Sequence, residues 1–565
     1  MAILLKPSPP TGLAIPPNTP HSVLNSLPEW DDNIMIVQGR GSEILKETTY
    51  PRFNIHPCVE ELAAVIVKAI DASHQGNCFL FPTFLLAQEF RSYIQVNFPF
   101  SSCDVHCATE IADAPSKHQI FAVLFSAEMR DARKFYIFSG NGISPRLAEV
   151  CLQRRGGNPQ PPLSLPSPTG HCFGEYYSRH TPLDSAEDAK RVIRNRFSGM
   201  VDGGLNIRGV PAASPEDVYL FSSGMQAIWR VYNLLAGTLG SRNDCRSHKV
   251  AHVNLLYCDS YKFLELPNSA GYHFFTNDAL NELESLLATG TPDQPAILAL
   301  YTDFPGNPHL RSADLARLRA LADRYNIPII VDETAGGYLN TQTLPYCDIV
   351  VSSLTKLFSG MANVLGGATI LNPASRFYPE FKKHMEATYE DTVFDHDALL
   401  LEMHSREYAH RTAITSHNAE MLSDVLHSHS VDGGSKASVL KAVHYPKYRT
   451  RDIYDRYRNP LAEKAGLKET GYGNLLSVTF TSVAAAKAFY CALQCYKGAT
   501  LGTVFTLATA FSVIAFPPEK MQWIEDRGVE ESLIRFSVGM EDTSSILKCV
   551  LDALLVAQRV QNAVE

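Results

Sequence analysis

The run DIVVSSLTK, from Asp348 to Lys356, is the most informative part of this sequence, and it ends in a single lysine. An apolar, β-branched stretch ends there in two serines and a threonine, directly before the amine. A lysine at the end of a buried strand, surrounded by hydroxyl groups, can form a Schiff base with pyridoxal phosphate (PLP), and the hydroxyl groups can hold the phosphate. The alternative is a solvated lysine that follows an edge strand.

A carboxylate 24 residues before the lysine favours PLP binding over a solvated lysine. The run IPIIVD, from Ile327 to Asp332, predicts a short apolar strand that ends in an aspartate. Ligands of open parallel sheets bind at the carboxyl ends of the strands, and a buried carboxylate needs a cationic partner. The protonated ring nitrogen of PLP is such a partner, although an aspartate after a strand can also be a helix N-cap.

Two further segments add to this interpretation. In the run VYLFSSGMQAIW, which begins at Val218, a predicted strand gives way to a predicted helix, and Ser223, Gly224 and Met225 occupy the turn. Glycine at such a turn allows backbone N–H groups to face a phosphate at a helix N-terminus. Tyr261 follows another predicted strand and could stack on a flat cofactor ring, although such a tyrosine on its own is more often a core residue.

Together these residues resemble the Cys/Met metabolism family of PLP-dependent enzymes over about residues 170 to 560. The resemblance implies fold type I, an α/β fold with a mostly parallel sheet in a large PLP-binding domain and a smaller C-terminal α/β domain. The long N-terminal extension is similar to that of fungal cystathionine γ-synthase-like enzymes. The matching segments are Ser353–Gly360, Val331–Thr334, Ser222–Met225, Asn307-Pro308, Tyr177-Ser-Arg179, Thr500–Gly502 and Leu533–Asp542.

The same resemblance implies roles for individual residues. Lys356 would hold the cofactor and move protons, and Tyr261 would stack on the cofactor ring and take part in catalysis. Arg535 would bind the α-carboxylate of the substrate, and Thr500 would help to fix the lysine and that carboxylate. The remaining cofactor-binding residues would be Asp332 at the ring nitrogen, Asn307 at the ring hydroxyl, Tyr177 and Arg179 at the phosphate of a neighbouring subunit, and Ser223, Gly224, Met225, Ser353 and Thr355 at the phosphate of the same chain.

The implied reaction is γ-replacement on an O-acylated homoserine, with cysteine as the default nucleophile and cystathionine as the product. Departures from the family pattern leave the nucleophile open, because Phe505, the segment Lys262–Glu265 and Thr181-Pro182 replace residues that tune the substrate side chain. The alternatives are γ-substitution with a carbon nucleophile, such as a β-keto acid, and a β- or γ-lyase of C–S bonds. A cofactor-binding fold that has lost catalysis is a further alternative.

Composition argues against several other classes of protein. Hydrophobic residues make up 45% of the chain and charged residues 19%, as in globular proteins. The net charge of −9, without a basic stripe, argues against nucleic acid. No apolar run is long enough to span a bilayer, and the N-terminus lacks the apolar core of a signal peptide. These features favour a cytoplasmic location. The family resemblance, with Tyr177 and Arg179 donated to a neighbouring subunit, implies a homodimer or homotetramer that shares active sites and acts on amino acids.

The twelve cysteines are scattered along the chain, and we interpret them as buried thiols. Cys103 and Cys107 flank a histidine but have no second Cys/His pair at a suitable distance, so no metal site is predicted. Residues 30–155 carry a helical pattern at Val59–Ile70 and strand-like runs at Gln119–Phe125 and Lys134–Phe138. We find no catalytic constellation there, and packing against the main domain and regulation both stay open as its role.

The length of 565 residues predicts several domains. Proline punctuates the beginning of the chain, and a second run rich in proline and glycine is typical of a linker. The predicted parts are an extended N-terminal arm (1–29), an accessory N-terminal α/β domain (30–155), a linker (156–170), the PLP-binding large domain (171–425) and a small C-terminal domain (426–565).

Overall fold

The computed structural model describes residues 21–44, 50–156, 183–201, 203–240, 249–266 and 269–564. In these ranges no helix is both long and apolar enough to cross a membrane. Strands β1 to β17 span, in order, Asn77–Phe81, Cys103–Cys107, Phe121–Phe125, Met200–Val201, Leu205–Asn206, Val218–Phe221, Val250–Val253, Tyr272–Phe275, Leu300–Asp303, Ile329–Asp332, Ile349–Ser353, Gly367–Leu371, Leu440–His444, Leu475–Phe480, Tyr496–Lys497, Leu507–Ala510 and Leu533–Ser537. Helices α1 to α19 span, in order, Trp30–Val37, Pro57–Ile70, Phe84–Asn97, Met129–Ser139, Pro145–Arg155, Ala186–Ser198, Gly224–Leu239, Asp259–Lys262, Leu280–Leu287, Leu315–Tyr325, Tyr378–Thr388, Asp395–Ser405, Tyr408–Ser428, Pro446–Arg449, Arg451–Tyr454, Val483–Ala492, Phe511–Ala515, Met521–Glu525 and Thr543–Val564.

A seven-stranded sheet forms the centre of the fold, with the strand order β6-β12-β11-β10-β9-β7-β8. The pairs β11/β10, β10/β9, β9/β7 and β7/β8 are parallel, whereas β12 is antiparallel to both β11 and β6. The strands other than β12 therefore share one direction, and the predicted mostly parallel sheet is confirmed. In the register between β9 and β10, Asp303 lies beside Asp332.

The local sequence explains how strand β10 is positioned. Helix α10 begins after Asp314, whose side chain accepts a hydrogen bond from a backbone N–H of the first turn. Leu315, Leu318 and Leu321 are buried on one face of this helix, at the spacing of a helix that packs on a sheet. The apolar strand that follows is buried along its first three residues. Asp332 is therefore delivered at its carboxyl end, where ligands of such sheets bind.

The small C-terminal domain contains a five-stranded sheet with the order β13-β14-β17-β16-β15. Its pairs are antiparallel except for β15 and β16. Every residue of β17 is buried, and helices α16 and α19 pack against each other. The hydroxyl of Ser477 donates a hydrogen bond to the carbonyl of Pro308 at 2.9 Å, which ties this sheet to the loop after β9. Arg535 lies opposite Ser477 on β17.

The N-terminal unit has a three-stranded antiparallel sheet with the order β1-β3-β2. All residues of the central strand β3, which the sequence predicts, are buried. Ala122 and Leu124 join a core with helices α2 and α5, whereas Val123 and Phe125 join a second core with helices α3 and α4. The unit is therefore an α/β/α sandwich with an apolar core on each face of its sheet.

Helix α4 corrects the strand-like interpretation of Lys134–Phe138. Its aromatic run is typical of strands, but Ala132, Phe135, Tyr136 and Ser139 are buried on one face of a helix. These positions recur at intervals of three and four residues, which is the helical period. Packing against neighbouring helices therefore outweighs the intrinsic preference of the aromatic residues for strands.

The N-terminal unit docks against helix α7 of the large domain. The ring of Phe135 packs edge-on against Trp229, with 5.3 Å between ring centroids. Glu89 forms an ion pair with Arg230 at 2.5 Å and accepts a hydrogen bond from the indole N–H of Trp229 at 3.2 Å. The unit thus supports the helix that begins at Gly224, in the predicted phosphate turn.

Residues 22–28 have no regular secondary structure and are buried. The backbone N–H of Leu27 donates to the carbonyl of Lys497 at 3.0 Å, and the Lys497 ammonium donates to the carbonyl of Pro28 at 2.8 Å. The hydroxyl of Tyr490 donates to the carbonyl of Leu27 at 2.7 Å. These contacts fasten the segment to the small domain.

Candidate active site

A cavity of about 570 Å³ lies at the carboxyl ends of strands β9 and β10, and this volume falls in the range of small-molecule sites. Its walls come from the large sheet, from the start of α7, from the small domain and from the N-terminal region. The structure brings to it these residues that the sequence analysis singles out: Ser223, Gly224, Met225, Asn307, Asp332, Ser353, Lys356, Thr500 and Arg535.

The side chain of Lys356 reaches into the cavity from the turn that follows β11. Its Nζ donates a hydrogen bond to Oγ1 of Thr500 at 2.9 Å and another to the hydroxyl oxygen of Tyr50 at 3.3 Å. Burial lowers the pKa of Lys356 below its usual value, although the nearby Tyr50 opposes the shift. A lower pKa increases the fraction of neutral amine, which is the form that acts as a nucleophile or a base.

Two carboxylates lie side by side at the ends of β9 and β10. Asp332 accepts a hydrogen bond from the backbone N–H of Thr334 at 2.8 Å, and Asp303 accepts one from the backbone N–H of Tyr257 at 2.8 Å. Burial raises the pKa of Asp332 to about 6. Burial and then the charge of Asp332 raise the pKa of Asp303 well above its usual value. No cation among the described residues offsets either shift, so a cationic ligand would stabilise the ionised pair.

The turn before helix α7 has the form of an anion site. Ser223 is the N-cap, and its hydroxyl accepts a hydrogen bond from the backbone N–H of Gln226 at 3.1 Å. The first N–H groups of a helix lack partners within the helix and attract phosphates. A Cβ added to Gly224 would lie 2.7 Å from the Cβ of Ser353, so only glycine allows α7 to begin this close to β11. Ser353 therefore lies beside the start of the helix.

The predicted contact between Thr355 and the phosphate is corrected by the structure, because Thr355 does not line the cavity. Its hydroxyl donates to the carbonyl of Gly366 at 3.3 Å and accepts from the backbone N–H of Gly366 at 3.0 Å. The side chain is buried and closes the turn between β11 and β12. In a strand, the side chains of residues 353 and 355 would point to the same face. Strand β11 ends at Ser353, however, so this alternation does not extend to Thr355.

The predicted position of Tyr261 against the cofactor ring is also corrected. Tyr261 belongs to the short helix α8 and packs among Phe511, Phe516 and Trp523, and the cavity lining does not include it. Tyr257 lines the cavity instead. The two tyrosines are four residues apart and both follow β7, so local sequence alone does not distinguish between them.

Tyr257 is held firmly at the cavity wall. Its hydroxyl accepts a hydrogen bond from Arg52 at 2.5 Å and donates one to Asp259 at 2.8 Å. Arg52 and Asp259 in turn form an ion pair at 2.8 Å, and both side chains are buried. A network of this kind fixes the orientation of the ring.

Arg535 enters the cavity from β17 of the small domain. Its Nη1 donates to the side-chain oxygen of Asn307 at 3.1 Å, and its Nη2 donates to the carbonyl of Thr500 at 3.0 Å. Its Nε has no hydrogen-bond partner among the described residues. Burial lowers the pKa of Arg535 to about 10, because the charged form is poorly solvated there. A buried guanidinium with a free N–H group suits the carboxylate of a substrate.

The cavity residues that the N-terminal region contributes were not among the predicted site residues, which include Tyr177 and Arg179 at the phosphate of a neighbouring subunit. Those two residues lie outside the described part of the chain. Tyr50 and Arg52 have the same spacing as that pair, with one residue between tyrosine and arginine, and this repetition could have drawn attention to them. The cavity-lining residues from the N-terminal region include Asn25, Tyr50, Arg52 and Arg133.

These features fit the predicted cofactor. Lys356 offers an amine for its aldehyde, the start of α7 offers N–H groups for its phosphate, and the paired carboxylates lack the cation that its ring nitrogen would supply. Asn307 lies in the same cavity and can donate a hydrogen bond through its side-chain amide. Over the described ranges, no group of three or more His, Cys, Asp or Glu side chains could hold a metal ion.

Comparison with known protein families gives matches over most of the chain. A family model described as Cys/Met metabolism PLP-dependent enzyme matches residues 212–555. A second model, described as fungal trans-sulfuration enzyme, N-terminal domain, matches residues 58–144. The second match falls on the N-terminal α/β/α unit, and the first spans the large sheet and nearly all of the small domain.

Individual relatives cover nearly the whole chain. The cystathionine gamma-synthase-like enzyme iboG1 of Amanita muscaria is 38% identical, over 97% of this chain and 98% of its own length. The cystathionine gamma-synthase of Neurospora crassa is 31% identical over the same shares. A solved structure of a Campylobacter jejuni protein named as an O-acetylhomoserine (thiol)-lyase, with a pyridoxyl-lysine phosphate, matches with a TM-score of 0.52 and 21% identity. It covers 65% of this chain and 86% of that chain, which shows a common fold.

Proposed function

Because the chain belongs to the Cys/Met metabolism family of PLP-dependent enzymes, we propose that it catalyses γ-replacement on an O-acylated homoserine. The default nucleophile is the thiol of cysteine, and the product is then cystathionine. The observation that carries this proposal is the position of Thr500 between two functional groups. Its hydroxyl accepts from Lys356 Nζ at 2.9 Å, and its carbonyl accepts from Arg535 Nη2 at 3.0 Å.

That arrangement suits an α-amino acid, whose Cα is one bond away from its carboxylate. Arg535 binds the carboxylate, with Asn307 keeping the guanidinium in place. Lys356 takes the proton from Cα, and burial favours the neutral form of the amine that this step requires. Thr500 limits the directions in which the amine can move.

PLP, when bound, supplies an electron-withdrawing ring that makes Cα and then Cβ acidic enough to lose a proton. The protein holds that ring through its own groups. Asp332 and Asp303 would pair with the cationic ring nitrogen, Ser353 and the start of α7 would bind the phosphate, and Tyr257 would stack on the ring in place of Tyr261. The departure of the γ-substituent and the addition of the nucleophile follow in the same cavity.

The alternative is the same γ-substitution with a carbon nucleophile such as a β-keto acid. It is supported by the departures from the family pattern at Phe505 and in the segment Lys262–Glu265. Lys262, which departs from the family pattern, lines the cavity, whereas Phe505 is buried against Tyr496 and does not line it. The region after Tyr257 is therefore the better candidate for the choice of nucleophile.

Product analysis tests the proposal. The purified, PLP-loaded enzyme is incubated with O-acetylhomoserine or O-succinylhomoserine and with cysteine, acetoacetate or no nucleophile, and the products are identified by mass spectrometry. Cystathionine supports the default, and a carbon–carbon adduct supports the alternative. Release of a 2-oxo acid from cystathionine, offered alone as a substrate, indicates a lyase of C–S bonds. No turnover of either donor or of cystathionine by the PLP-loaded enzyme contradicts all three. Lys356→Ala serves as the inactive control.

We further propose a cytoplasmic homo-oligomer, a dimer or a tetramer, in which Tyr177 and Arg179 reach the phosphate of a neighbouring subunit. Ten cysteines in the described ranges are free thiols, as expected in a reducing compartment; five of them are buried as predicted, four are partly exposed, and Cys107 is exposed. Gel filtration coupled to light scattering gives the oligomeric state. A fully active monomer contradicts the role of Tyr177 and Arg179.

A further inference from the structure

The N-terminal region places one tyrosine against the catalytic lysine of its own chain. Tyr50 is 6% exposed, and its backbone N–H donates to the side-chain oxygen of Asn25 at 3.0 Å. Its ring packs against Phe53, with 5.0 Å between ring centroids. Its hydroxyl oxygen lies 3.3 Å from Nζ of Lys356. The phenol is therefore held in the cavity by contacts on several sides.

The chain beside Tyr50 is anchored independently of that contact. Two residues later, Arg52 donates to the carbonyl of Ile137 at 2.9 Å and forms the buried ion pair with Asp259. Its guanidinium also lies over the ring of Phe53, at 4.2 Å from the centroid. These contacts join the segment to helices α4 and α8, so the position of Tyr50 does not depend on the lysine alone.

The usual pKa values of a tyrosine and a lysine lie close together, and the surroundings of Tyr50 and Lys356 lower both. Burial alone would raise the pKa of Tyr50, but the positive charges of Lys356 and Arg52 outweigh it, and the pKa falls below the usual value. Burial lowers the pKa of Lys356, and the charges of Arg52 and Arg535 act in the same direction. The hydrogen bond of 3.3 Å between them gives a proton a direct path from one group to the other.

We propose that Tyr50 is a catalytic residue that exchanges a proton with Lys356 of the same chain. Once Lys356 has taken a proton from the substrate, it is an ammonium group. It passes one proton along the hydrogen bond to the Tyr50 phenolate, one N–H bond breaks and one O–H bond forms, and a neutral amine and a neutral phenol result. The phenol returns this proton along the same hydrogen bond when the lysine next donates one, and the phenolate is restored. The inference rests on the proposed function in so far as the amine must be regenerated during turnover.

Tyr50 is suited to this task in a way that the other partner of the lysine is not. Among the described residues, the side chains that hydrogen-bond to Lys356 Nζ are those of Tyr50 and Thr500. An aliphatic hydroxyl does not ionise in the working range of an enzyme, whereas a phenol does so near pH 10 and lower beside cations. Thr500 can orient the amine, and Tyr50 can also accept its proton.

The variant Tyr50→Phe removes the hydroxyl and keeps the ring in its packing. We expect kcat to fall by about 10²-fold, the lower range for general acid–base catalysis, with little change in KM. A second readout needs no substrate: the pH titration of the absorption band of bound PLP. Loss of the phenol should move this titration to lower pH by about one unit, because a group that stabilises positive charge at the lysine nitrogen is gone.

The matched control is Tyr93→Phe, which removes a phenol from helix α3 of the same N-terminal unit, away from the cavity. It should leave both readouts unchanged. An unchanged spectral titration in Tyr50→Phe overturns the inference, whichever reaction the enzyme catalyses. A shifted titration in an enzyme without activity on homoserine esters supports the contact between Tyr50 and Lys356 and contradicts only the proposed function.

Complementation tests whether Tyr50 acts within its own chain. Tyr50→Phe and Lys356→Ala chains carrying different tags are produced together, and the doubly tagged species is purified. If Tyr50 serves the lysine of its own chain, that species contains no intact site, and its activity does not exceed that of the two variants. Recovery of a large fraction of wild-type activity means that the tyrosine crosses between subunits, and this result overturns the assignment.

Discussion

Replacing Asp332 by asparagine tests whether the paired carboxylates require a cationic ligand. Asparagine has nearly the same size but carries no charge. In the cofactor-free protein the pKa of Asp332 is raised by burial from 3.8 to about 6. One pH unit corresponds to about 1.4 kcal/mol, so the ionised carboxylate destabilises the folded, cofactor-free protein by at most about 3 kcal/mol.

The sign of the effect depends on pH. Because the pKa of Asp332 in the folded state lies above the unfolded value, the stability contributed by this carboxyl is fully present below pH 3.8 and is lost as the pH rises through about 6. We therefore expect the cofactor-free Asp332→Asn protein to match the wild type at the acidic end and to be more stable at neutral pH. PLP should reverse the order, since its ring nitrogen pairs only with the wild-type side chain.

The assay is thermal unfolding of cofactor-stripped and reloaded protein from mildly acidic to mildly alkaline pH, with PLP affinity measured by absorbance. Wild type should bind PLP at least about 10-fold more tightly than the variant. Asp348→Asn is the matched control, because Asp348 is buried next to the same sheet but is paired with Arg319 at 2.7 Å. Its loss should destabilise both forms. A cofactor-free Asp332→Asn protein that is less stable than wild type in alkaline buffer refutes the reasoning.

Three further substitutions follow from single contacts. Arg535→Lys should lower kcat/KM by about 10- to 100-fold, mainly through KM, because lysine cannot make the paired charge-assisted hydrogen bonds of a guanidinium; an unchanged KM in steady-state kinetics contradicts this role. Gly224→Ala should weaken PLP binding at least about 10-fold in an absorbance titration, because the new Cβ would lie 2.7 Å from the Cβ of Ser353 and displace the helix start; equal affinity counts against the phosphate turn. Glu333→Gln should destabilise the protein by about 3–5 kcal/mol, because it leaves the buried charge of Arg208, 2.7 Å away, without its partner; an unchanged thermal midpoint argues against this.

The parts of the site at the ends of regular elements could be predicted from the sequence. Asp332 ends an apolar strand, Gly224 begins an amphipathic helix, and Lys356 follows a hydroxyl-rich strand end, so each carries a local signal of its position. The structure brings these residues into one cavity, and the mostly parallel sheet that they imply is confirmed.

The rest of the site depends on contacts between distant parts of the chain. Tyr50 and Arg52 lie outside helices and strands, and the contact of Tyr50 with Lys356 joins residues 306 positions apart. Neither hydrophobic periodicity nor turn chemistry records such a contact. Tyr257 and Tyr261 are four residues apart after the same strand, and only the packing of helix α8 decides which of them lines the cavity.

The distribution of the cavity walls along the chain has a consequence for biosynthesis. Tyr50 leaves the ribosome long before Arg535, because 485 positions separate them. The N-terminal α/β/α unit has two apolar cores of its own, so it can fold before the rest of the chain has been synthesised. The segment before it stays without its anchor until the strand that contains Lys497 has been made. The complete cavity can therefore form only after the strands that carry Lys497 and Arg535 have been made.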